Sequence, residues 1–191
     1  MKKIGIFPGS FNPVHIGHLA LANYIKEYEN LDEIWMMVSP HNPLKEIHSL
    51  CSAKHRLQML KLALKEDNSI KASDFEFTLP QPSYTITTLE KLKKLYPDYH
   101  FSLIIGGDNW TNFEKWHRYK DIIANFDIII YPRPEEIIHK PDNSDTIHIC
   151  NAPVLEISST MLRESIQNGK SLRYFYPYGV YDYIKENRLY L

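Results

Sequence analysis

Short apolar runs alternate with longer segments in which apolar residues recur every three or four positions. The short runs predict strands, because a strand that is buried on both faces carries apolar residues at consecutive positions. The run Ile34-Trp35-Met36-Met37-Val38, which is followed closely by Pro40, has this pattern in its clearest form. The predicted strands are residues 2–7, 33–39, 70–73, 100–105, 127–131 and 147–151.

The segments between these runs predict helices, because residues three or four positions apart lie on one face of a helix. The segment from Tyr84 to Tyr96 is typical: four apolar residues repeat at this spacing before Pro97 ends the pattern. Ser52 is predicted to cap a helix that runs through Asp67 with leucines on its inner face. The other predicted helices begin near Val14, span 118–125, run from Ser158 to a stop at Gly169, and span 180–187.

Strands that alternate with helices predict an α/β fold, with a Rossmann-like open, mostly parallel sheet and helices on both faces. The chain of 191 residues has no repeat or linker, so residues 1–191 are predicted to form a single domain. In such a sheet, ligands bind beyond the carboxyl ends of the strands. The loop after the first strand is predicted to lie at such an end.

Charge and composition exclude several classes of protein. Lys and Arg number 22 against 23 Asp and Glu, so no overall basic field indicates nucleic-acid binding, and any phosphate must be held locally. The chain has no apolar stretch of membrane-spanning length, and Pro8 and Gly9 interrupt the first apolar run before it could serve as a signal peptide. Cys51 and Cys150 form no disulfide framework, which suits a reducing cytoplasm.

The segment Gly9-Ser10-Phe11-Asn12-Pro13-Val14-His15-Ile16-Gly17-His18 has the features of a phosphate site between a strand and a helix. A helix opening near Val14 would place His15 and His18 on its first turn, where free backbone N–H groups and the helix dipole favour an anion. Gly9 and Gly17 leave room for a close approach of backbone to ligand. The spacing fits neither a dinucleotide fingerprint nor a Walker loop. A metal pair is the less favoured reading, because no third ligand stands nearby.

A second candidate anion site lies near the end of the chain, at Ser158-Ser159-Thr160-Met161-Leu162-Arg163. Ser158 is predicted to cap a helix, with the Thr160 hydroxyl in its first turn and the Arg163 guanidinium one turn further on. A planar guanidinium suits phosphate oxygens. Taken alone, the pattern is equally typical of simple helix capping with a solvated arginine.

Together the two segments resemble the signatures of the nucleotidyltransferase superfamily, which activates phosphate compounds with a nucleoside triphosphate. The matching patterns are G-S-F-x-P-x-H-x-G-H at 9–18 and I-S-S-T-x-x-R at 157–163. With the middle of the chain included, the sequence is similar to bacterial nicotinate mononucleotide adenylyltransferases. This resemblance implies a nucleotidyltransferase-type fold. It also implies direct transfer of the adenylyl group of ATP to nicotinate mononucleotide, without a covalent enzyme intermediate.

The resemblance also implies roles for particular residues. His18, His15 and Arg163 would be catalytic, with His18 on the α-phosphate oxygens and His15 on the neighbouring phosphates. Ser10, Ser158, Thr160 and Arg163 would hold the departing pyrophosphate. The implied ATP-binding set is Gly9, Ser10, Phe11, His15, His18, Gly107, Asp108, Arg133, Ser158, Thr160 and Arg163. The implied nicotinate-nucleotide set is Lys45, Thr85, Asp108 and Trp116. Mg²⁺ would be bound mainly by the ATP phosphates, because the sequence contains no cluster of acidic residues dedicated to it.

Several of these roles have structural alternatives. Trp116 would stack on the pyridine ring or fill the core, Thr85 would contact the nucleotide or cap a helix, and Lys45 would contact a ligand or only solvent. Two other functions also stay open. One is adenylyl or cytidylyl transfer to another phosphate acceptor, such as phosphopantetheine, and the other is nucleotide-dependent regulation without catalysis. The protein is expected to be a monomer or a small homo-oligomer.

Overall fold

One sheet of six parallel strands runs through the part of the protein that the computed structural model describes, namely residues 1–40, 50–134, 138–139 and 145–191. The strands are β1 (Lys2–Gly9), β2 (Glu33–Val38), β3 (Ile70–Ser73), β4 (Tyr99–Gly106), β5 (Asp127–Tyr131) and β6 (Ile147–Ile149). Their order across the sheet is β3-β2-β1-β4-β5-β6. The direction of the strand order therefore reverses between β1 and β4, and an open parallel sheet forms its binding crevice at such a point.

The central strands are buried on both faces, which explains their continuous apolar runs. In β4, Leu103 and Ile105 enter one hydrophobic cluster while Ile104 enters the other. In β5, Ile128 and Ile129 divide between the two clusters in the same way. Successive side chains of a strand point to opposite faces, so each face needs its own layer of helices.

Two layers of helices supply that cover. The cluster that contains Ile104 packs against α1 (Ile16–Tyr28), α2 (Ala53–Ala63), α6 (Ser159–Gln167) and α7 (Val180–Glu186). The opposite cluster packs against α3 (Thr85–Leu95) and α5 (Tyr119–Asn125). A short helix, α4 (Gly107–Thr111), follows β4 directly. None of the helices in the described ranges is long and apolar enough to span a membrane.

The structure confirms the predicted fold and all six strands, with strand ends that shift by no more than two residues. The helix predicted to run through Asp67 ends earlier, at Ala63. The Asp67 carboxylate instead accepts hydrogen bonds from the backbone N–H groups of Ser69 and Ile70, at 2.7 and 2.9 Å, and turns the chain into β3. The helix α4 and the short 3₁₀ turns Phe75–Thr78, Phe113–Lys115 and Arg173–Phe175 were not predicted, because segments so short carry no periodic pattern.

Candidate active site

The loop after β1 ends later than the sequence pattern predicts. His15 has an extended backbone, with φ −142° and ψ 169°, and it is the N-cap of α1, which begins at Ile16 and not near Val14. The Val14 side chain is fully buried in the core, so this residue anchors the loop and is not part of the helix. His18 alone of the two histidines therefore lies within the first turn.

His15 and His18 are in direct contact. Their rings stack with centroids 3.7 Å apart and planes at 29°. The backbone N–H of His15 donates to Nδ1 of His18 at 3.2 Å. Because Nδ1 of His18 accepts this bond, the proton of the neutral ring lies on Nε2, which can then act as a donor. The loop backbone thus fixes both the orientation and the tautomer of His18.

His15 is buried, with 4% of its surface exposed, and its Nδ1 has no hydrogen-bond partner among the described residues. Burial, together with the nearby charge of Arg133, lowers the pKa of His15 to about 4, so the ring is neutral at neutral pH. A Cβ on Gly17 would lie 3.0 Å from this ring, and one on Gly9 would lie 2.6 Å from the ring of Phe11. Both glycines therefore make room for the protein's own rings, where the sequence suggested room for a ligand.

A cavity of about 430 Å³ opens at the carboxyl ends of β1 and β4. Its wall includes the ends of both strands, the loop after β1, the start of α3 and the segment around residue 116. Of the residues predicted from the sequence, it brings together Gly9, Ser10, Phe11, His18, Thr85, Asp108, Trp116 and Arg133. Residues from the predicted ATP set and from the predicted nicotinate-nucleotide set thus face one space.

A second, smaller cavity lies beside the first. His15 and Gly17 form one side of it, and the apolar side chains of Val154, Leu155 and Ile157 form another. Val154 and Leu155 are partly exposed, at 46% and 42%. Three residues line both cavities: His18, Tyr131 and Arg133. His18 therefore stands at the junction of the two spaces.

Trp116 lies between the protein core and the large cavity. Its ring is half-buried and packs on Phe113 with centroids 5.1 Å apart. Its Nε1 is buried, and no described residue accepts a hydrogen bond from it. Thr85, which also lines the cavity, is the first residue of α3, whose N-cap Tyr84 makes no side-chain capping bond. The structure thus places Trp116 and the N-terminus of α3 on the same space.

Arg133 and Asp108 form a charged pair on the cavity wall. Nε of Arg133 lies 3.6 Å from Oδ1 of Asp108, and an Nη2 hydrogen bond of 3.3 Å joins Arg133 to the Tyr131 hydroxyl. A Cβ on Gly106 would collide with the Asp108 carboxylate, so this glycine is needed for the observed position of Asp108. Gly107 is buried as the first residue of α4 and lines neither cavity, and its contact with ATP stays a prediction.

The late motif meets the first loop, and apart from Ile157 its residues line neither cavity. Ser158 caps α6 by accepting from the Met161 N–H at 3.1 Å, as predicted. The Ser159 hydroxyl donates to the Pro13 carbonyl at 2.8 Å. Arg163 donates to the Asn12 carbonyl at 2.9 Å and to the Thr160 hydroxyl at 3.2 Å. Ser159 and Arg163 therefore contact the loop, and none of Ser158, Thr160 and Arg163 lines either cavity. Lys45 lies outside the described residues.

Two buried charged residues beside the cavity were missed in the sequence. Glu76 lines the cavity and has only 5% of its surface exposed, and Arg56 has 1% exposed. The signal for Glu76 was an acid between two phenylalanines, and the signal for Arg56 was a charge four residues before Leu60 on the apolar face of α2. Among the described residues, no group of three or more His, Cys, Asp or Glu side chains is arranged to hold a metal ion.

The chain is similar in sequence to known proteins over most of its length. The sequence model of the Cytidylyltransferase-like family matches residues 6–165. A protein of Bacteroides fragilis, named "probable nicotinate-nucleotide adenylyltransferase", is 50% identical over 94% of this chain and 89% of its own length. A protein of Flavobacterium johnsoniae with the same name is 48% identical over 98% of both chains.

Solved structures resemble the fold over the whole chain. A Plasmodium falciparum nicotinic acid mononucleotide adenylyltransferase complexed with NaAD superposes with a TM-score of 0.80, at 24% identity, covering 100% of this chain and 98% of that one. A putative nicotinate-nucleotide adenylyltransferase from Vibrio parahaemolyticus gives a TM-score of 0.73 at 22% identity, covering 100% and 96%. At this level of identity, the likeness concerns the fold.

Proposed function

The chain belongs to the nicotinate-nucleotide adenylyltransferase family, and we propose that it carries out the family's reaction by one direct displacement at the junction of its two cavities. The enzyme transfers the adenylyl group of ATP to nicotinate mononucleotide and yields nicotinate adenine dinucleotide and pyrophosphate, a step of NAD biosynthesis. The observation that carries the proposed mechanism is the position of His18 on the walls of both cavities.

The large cavity has groups that suit a nucleotide, and the smaller cavity adjoins it. The large cavity offers a flat ring in Trp116, a helix N-terminus at Thr85 and a carboxylate in Asp108, which suit a pyridine ring, an anionic group and ribose hydroxyls respectively. The smaller cavity has a volume of only about 30 Å³, so it would have to widen before the apolar side chains of Val154 and Leu155 could border a purine. In this arrangement the phosphate of nicotinate mononucleotide and the α-phosphate of ATP meet beside His18.

The chemistry needs no covalent bond to the protein. A phosphate oxygen of nicotinate mononucleotide attacks the α-phosphorus of ATP and forms a new P–O bond. The bond from that phosphorus to the oxygen bridging the β-phosphorus breaks, and pyrophosphate leaves with the electron pair. The protein positions both groups and stabilises charge on the α-phosphate, where Nε2–H of His18 donates to an oxygen. His15, neutral and packed on His18, keeps that donor in place.

Positive charge for the triphosphate comes from the cavity wall and from the late motif. Arg133 lines both cavities, while Arg163 and the N-terminus of α6 contact the first loop. We expect Mg²⁺ to be held by the ATP phosphates and to neutralise part of their charge, because this metal commonly binds through substrate phosphates and keeps its waters. The residues near the cavity fit this arrangement. The carboxylate of Glu76, which lines the cavity, already accepts hydrogen bonds from three hydroxyl groups, so the phosphates are the better ligands for the ion.

The reaction can be tested with a panel of acceptors. Purified protein is incubated with ATP, Mg²⁺ and one acceptor at a time, and pyrophosphate release and the dinucleotide product are measured. We expect release with nicotinate mononucleotide and none with phosphopantetheine or glycerol phosphate. Release only with phosphopantetheine, or with CTP in place of ATP, would identify a related transferase. Binding of ATP without release in any mixture would instead indicate a regulatory nucleotide-binding protein.

The direct displacement can be tested separately by stereochemistry. With ATP that is chiral at the α-phosphorus through a sulfur substituent, one in-line displacement inverts the configuration. Two successive displacements through an enzyme-bound intermediate would retain it. Retention in the dinucleotide product would rule out the proposed mechanism and leave the identity of the reaction intact.

The compartment and the assembly state are also proposals. The free thiols of Cys51 and Cys150 suit a reducing compartment, and we place the reaction in the cytoplasm. We expect a monomer or a small homo-oligomer, which light scattering on the purified protein would resolve.

A further inference from the structure

Arg56 is a buried arginine whose guanidinium donates to four backbone carbonyls. It lies on α2, and 1% of its surface is exposed. Its acceptors are the carbonyl oxygens of Ser10, Ser39, Pro40 and Cys51, at 2.7, 2.9, 2.9 and 2.9 Å. One side chain thus ties the loop after β1 to the end of β2 and to the residues that precede α2.

The charge of Arg56 is not balanced by a carboxylate within the described ranges, where none of the ion pairs includes this residue. Burial lowers the pKa of the guanidinium, but an arginine stays protonated at neutral pH. Burying a charge without a counter-ion is costly for stability. A leucine or methionine would avoid that cost but would leave four carbonyls without the guanidinium as donor, so the role of Arg56 lies in the groups that it binds.

The explanation lies in the loop that Arg56 contacts. Ser10 and Phe11 both line the large cavity. The peptide bond between them is not among the cis bonds, so its N–H, which belongs to Phe11, points away from the carbonyl that Arg56 holds. Phe11 has φ 45°, a left-handed conformation that L-residues adopt at a cost. Tertiary contacts must therefore hold this peptide, and Arg56 makes the shortest of the four guanidinium bonds to it.

We propose that Arg56 is a positioning residue for phosphate binding. It holds the Ser10–Phe11 peptide so that the N–H faces the ligand, and it leaves a positive charge behind the loop for the substrate phosphates to balance. This inference rests on the proposed function, because it assumes that phosphate groups meet the Ser10 loop.

The test separates phosphate binding from folding. Arg56→Met removes the charge, and Arg56→Lys keeps a charge but cannot bind four carbonyls in the same geometry. Met59→Ala is the matched control, because Met59 is fully buried on the same helix and carries no charge. Calorimetric titration below the unfolding temperature gives the affinity for ATP and nicotinate mononucleotide, and for adenosine and nicotinate riboside, which lack the phosphates.

We expect Arg56→Met to weaken at least one of the two phosphorylated ligands by about tenfold or more, the effect of losing a hydrogen-bonded charge, with Arg56→Lys between it and the wild type. The affinities for adenosine and nicotinate riboside should stay unchanged. Met59→Ala should lower the unfolding temperature and leave all four affinities as they are. If Arg56→Met does not fold, Arg56→Lys alone is compared with the wild type.

Two results would overturn the proposal. One is wild-type affinity for both phosphorylated ligands in the folded Arg56 variants. The other is an equal loss for each ligand and its phosphate-free partner, which would make Arg56 purely structural. The proposed function would be contradicted by a different observation, namely the absence of the dinucleotide product with the wild-type protein. The two outcomes can be told apart because the binding titrations need no turnover.

Discussion

The ring of His18 accepts a hydrogen bond from the backbone of His15 and stacks on its side chain. One histidine therefore serves as the support for the other. His15 is buried and neutral, while His18 reaches the junction of the two cavities with its proton on Nε2. Replacing each of them should consequently have a different effect.

For His18, the expected effect is on turnover. His18→Ala should lower kcat by about 10² or more, the scale for losing one donor to a developing charge, and leave the fold intact. His18→Gln should recover part of the rate, because a glutamine can place an N–H near the position of Nε2. His148→Ala on the exposed surface of β6 is the control. Near-normal turnover in His18→Ala would remove this residue from the mechanism.

For His15, the expected effect is on stability at acid pH. Its pKa is about 4 in the folded protein and 6.5 in an unfolded chain, so the stability it contributes is present above pH 6.5 and is lost as the pH falls towards 4. The loss should reach up to about 3 kcal/mol. Unfolding by urea between pH 7 and 4 should show a steeper decline for the wild type than for His15→Gln. Parallel curves would show that His15 becomes charged without penalty.

Trp116 is expected to select one substrate. Trp116→Ala should raise KM for nicotinate mononucleotide by about tenfold, within the range measured for loss of one base–aromatic stack, and leave KM for ATP unchanged. Trp110→Ala is a matched control, because Trp110 also packs on Phe113 with centroids 5.1 Å apart and does not line the cavity. An equal rise for both substrates would mark Trp116 as a structural residue.

Glu76 is expected to make stability depend on pH in the opposite direction. Burial raises its pKa above 4.5, although hydrogen bonds from Thr88, Ser39 and Ser83 offset part of that rise. A group of this kind contributes stability below pH 4.5 that is lost as the pH rises through the folded pKa. The unfolding temperature of the wild type should therefore fall relative to Glu76→Gln as the pH rises from 4.5.

The same scan on Glu66→Gln provides the control, because Glu66 is exposed and its replacement removes the same charge. A constant difference between the wild type and Glu76→Gln across the pH range would contradict the assignment. In that case the three hydroxyl donors would fully compensate for the burial of the carboxylate.

Residues whose role follows from local pattern could be predicted from the sequence. The continuous apolar runs of β4 and β5 predicted strands that are buried on both faces, and the structure confirms this. The position of Ser158 before a helical pattern predicted the N-cap of α6. The two motifs also meet as expected, since Arg163 reaches the carbonyl of Asn12 across 151 positions of the chain. These features depend on the spacing of apolar residues, on helix capping and on the geometry of parallel sheets.

Residues whose role depends on distant partners could not be predicted in this way. The acceptors of Arg56 come from Ser10 and from residues beside β2, and no periodic pattern records such a contact. The start of α1 was misplaced because Val14 is held by the core, which local helix signals do not report. The ligand contacts of Gly107 and Arg163 come from motif likeness alone and stay predictions, since neither residue lines a cavity.

The contacts of the loop after β1 have a consequence for how the protein is made. Asn12 emerges early in synthesis, yet its carbonyl is bound by Arg163, and its side chain accepts from Tyr190 at 2.9 Å, 178 residues later. Contacts so distant in sequence form late in folding, because a long loop must close first. A nascent chain still lacking α6 and the residues after it would carry the first motif without the hydrogen bonds from Ser159, Arg163 and Tyr190, so the enzyme should gain activity only after nearly all of the chain has left the ribosome.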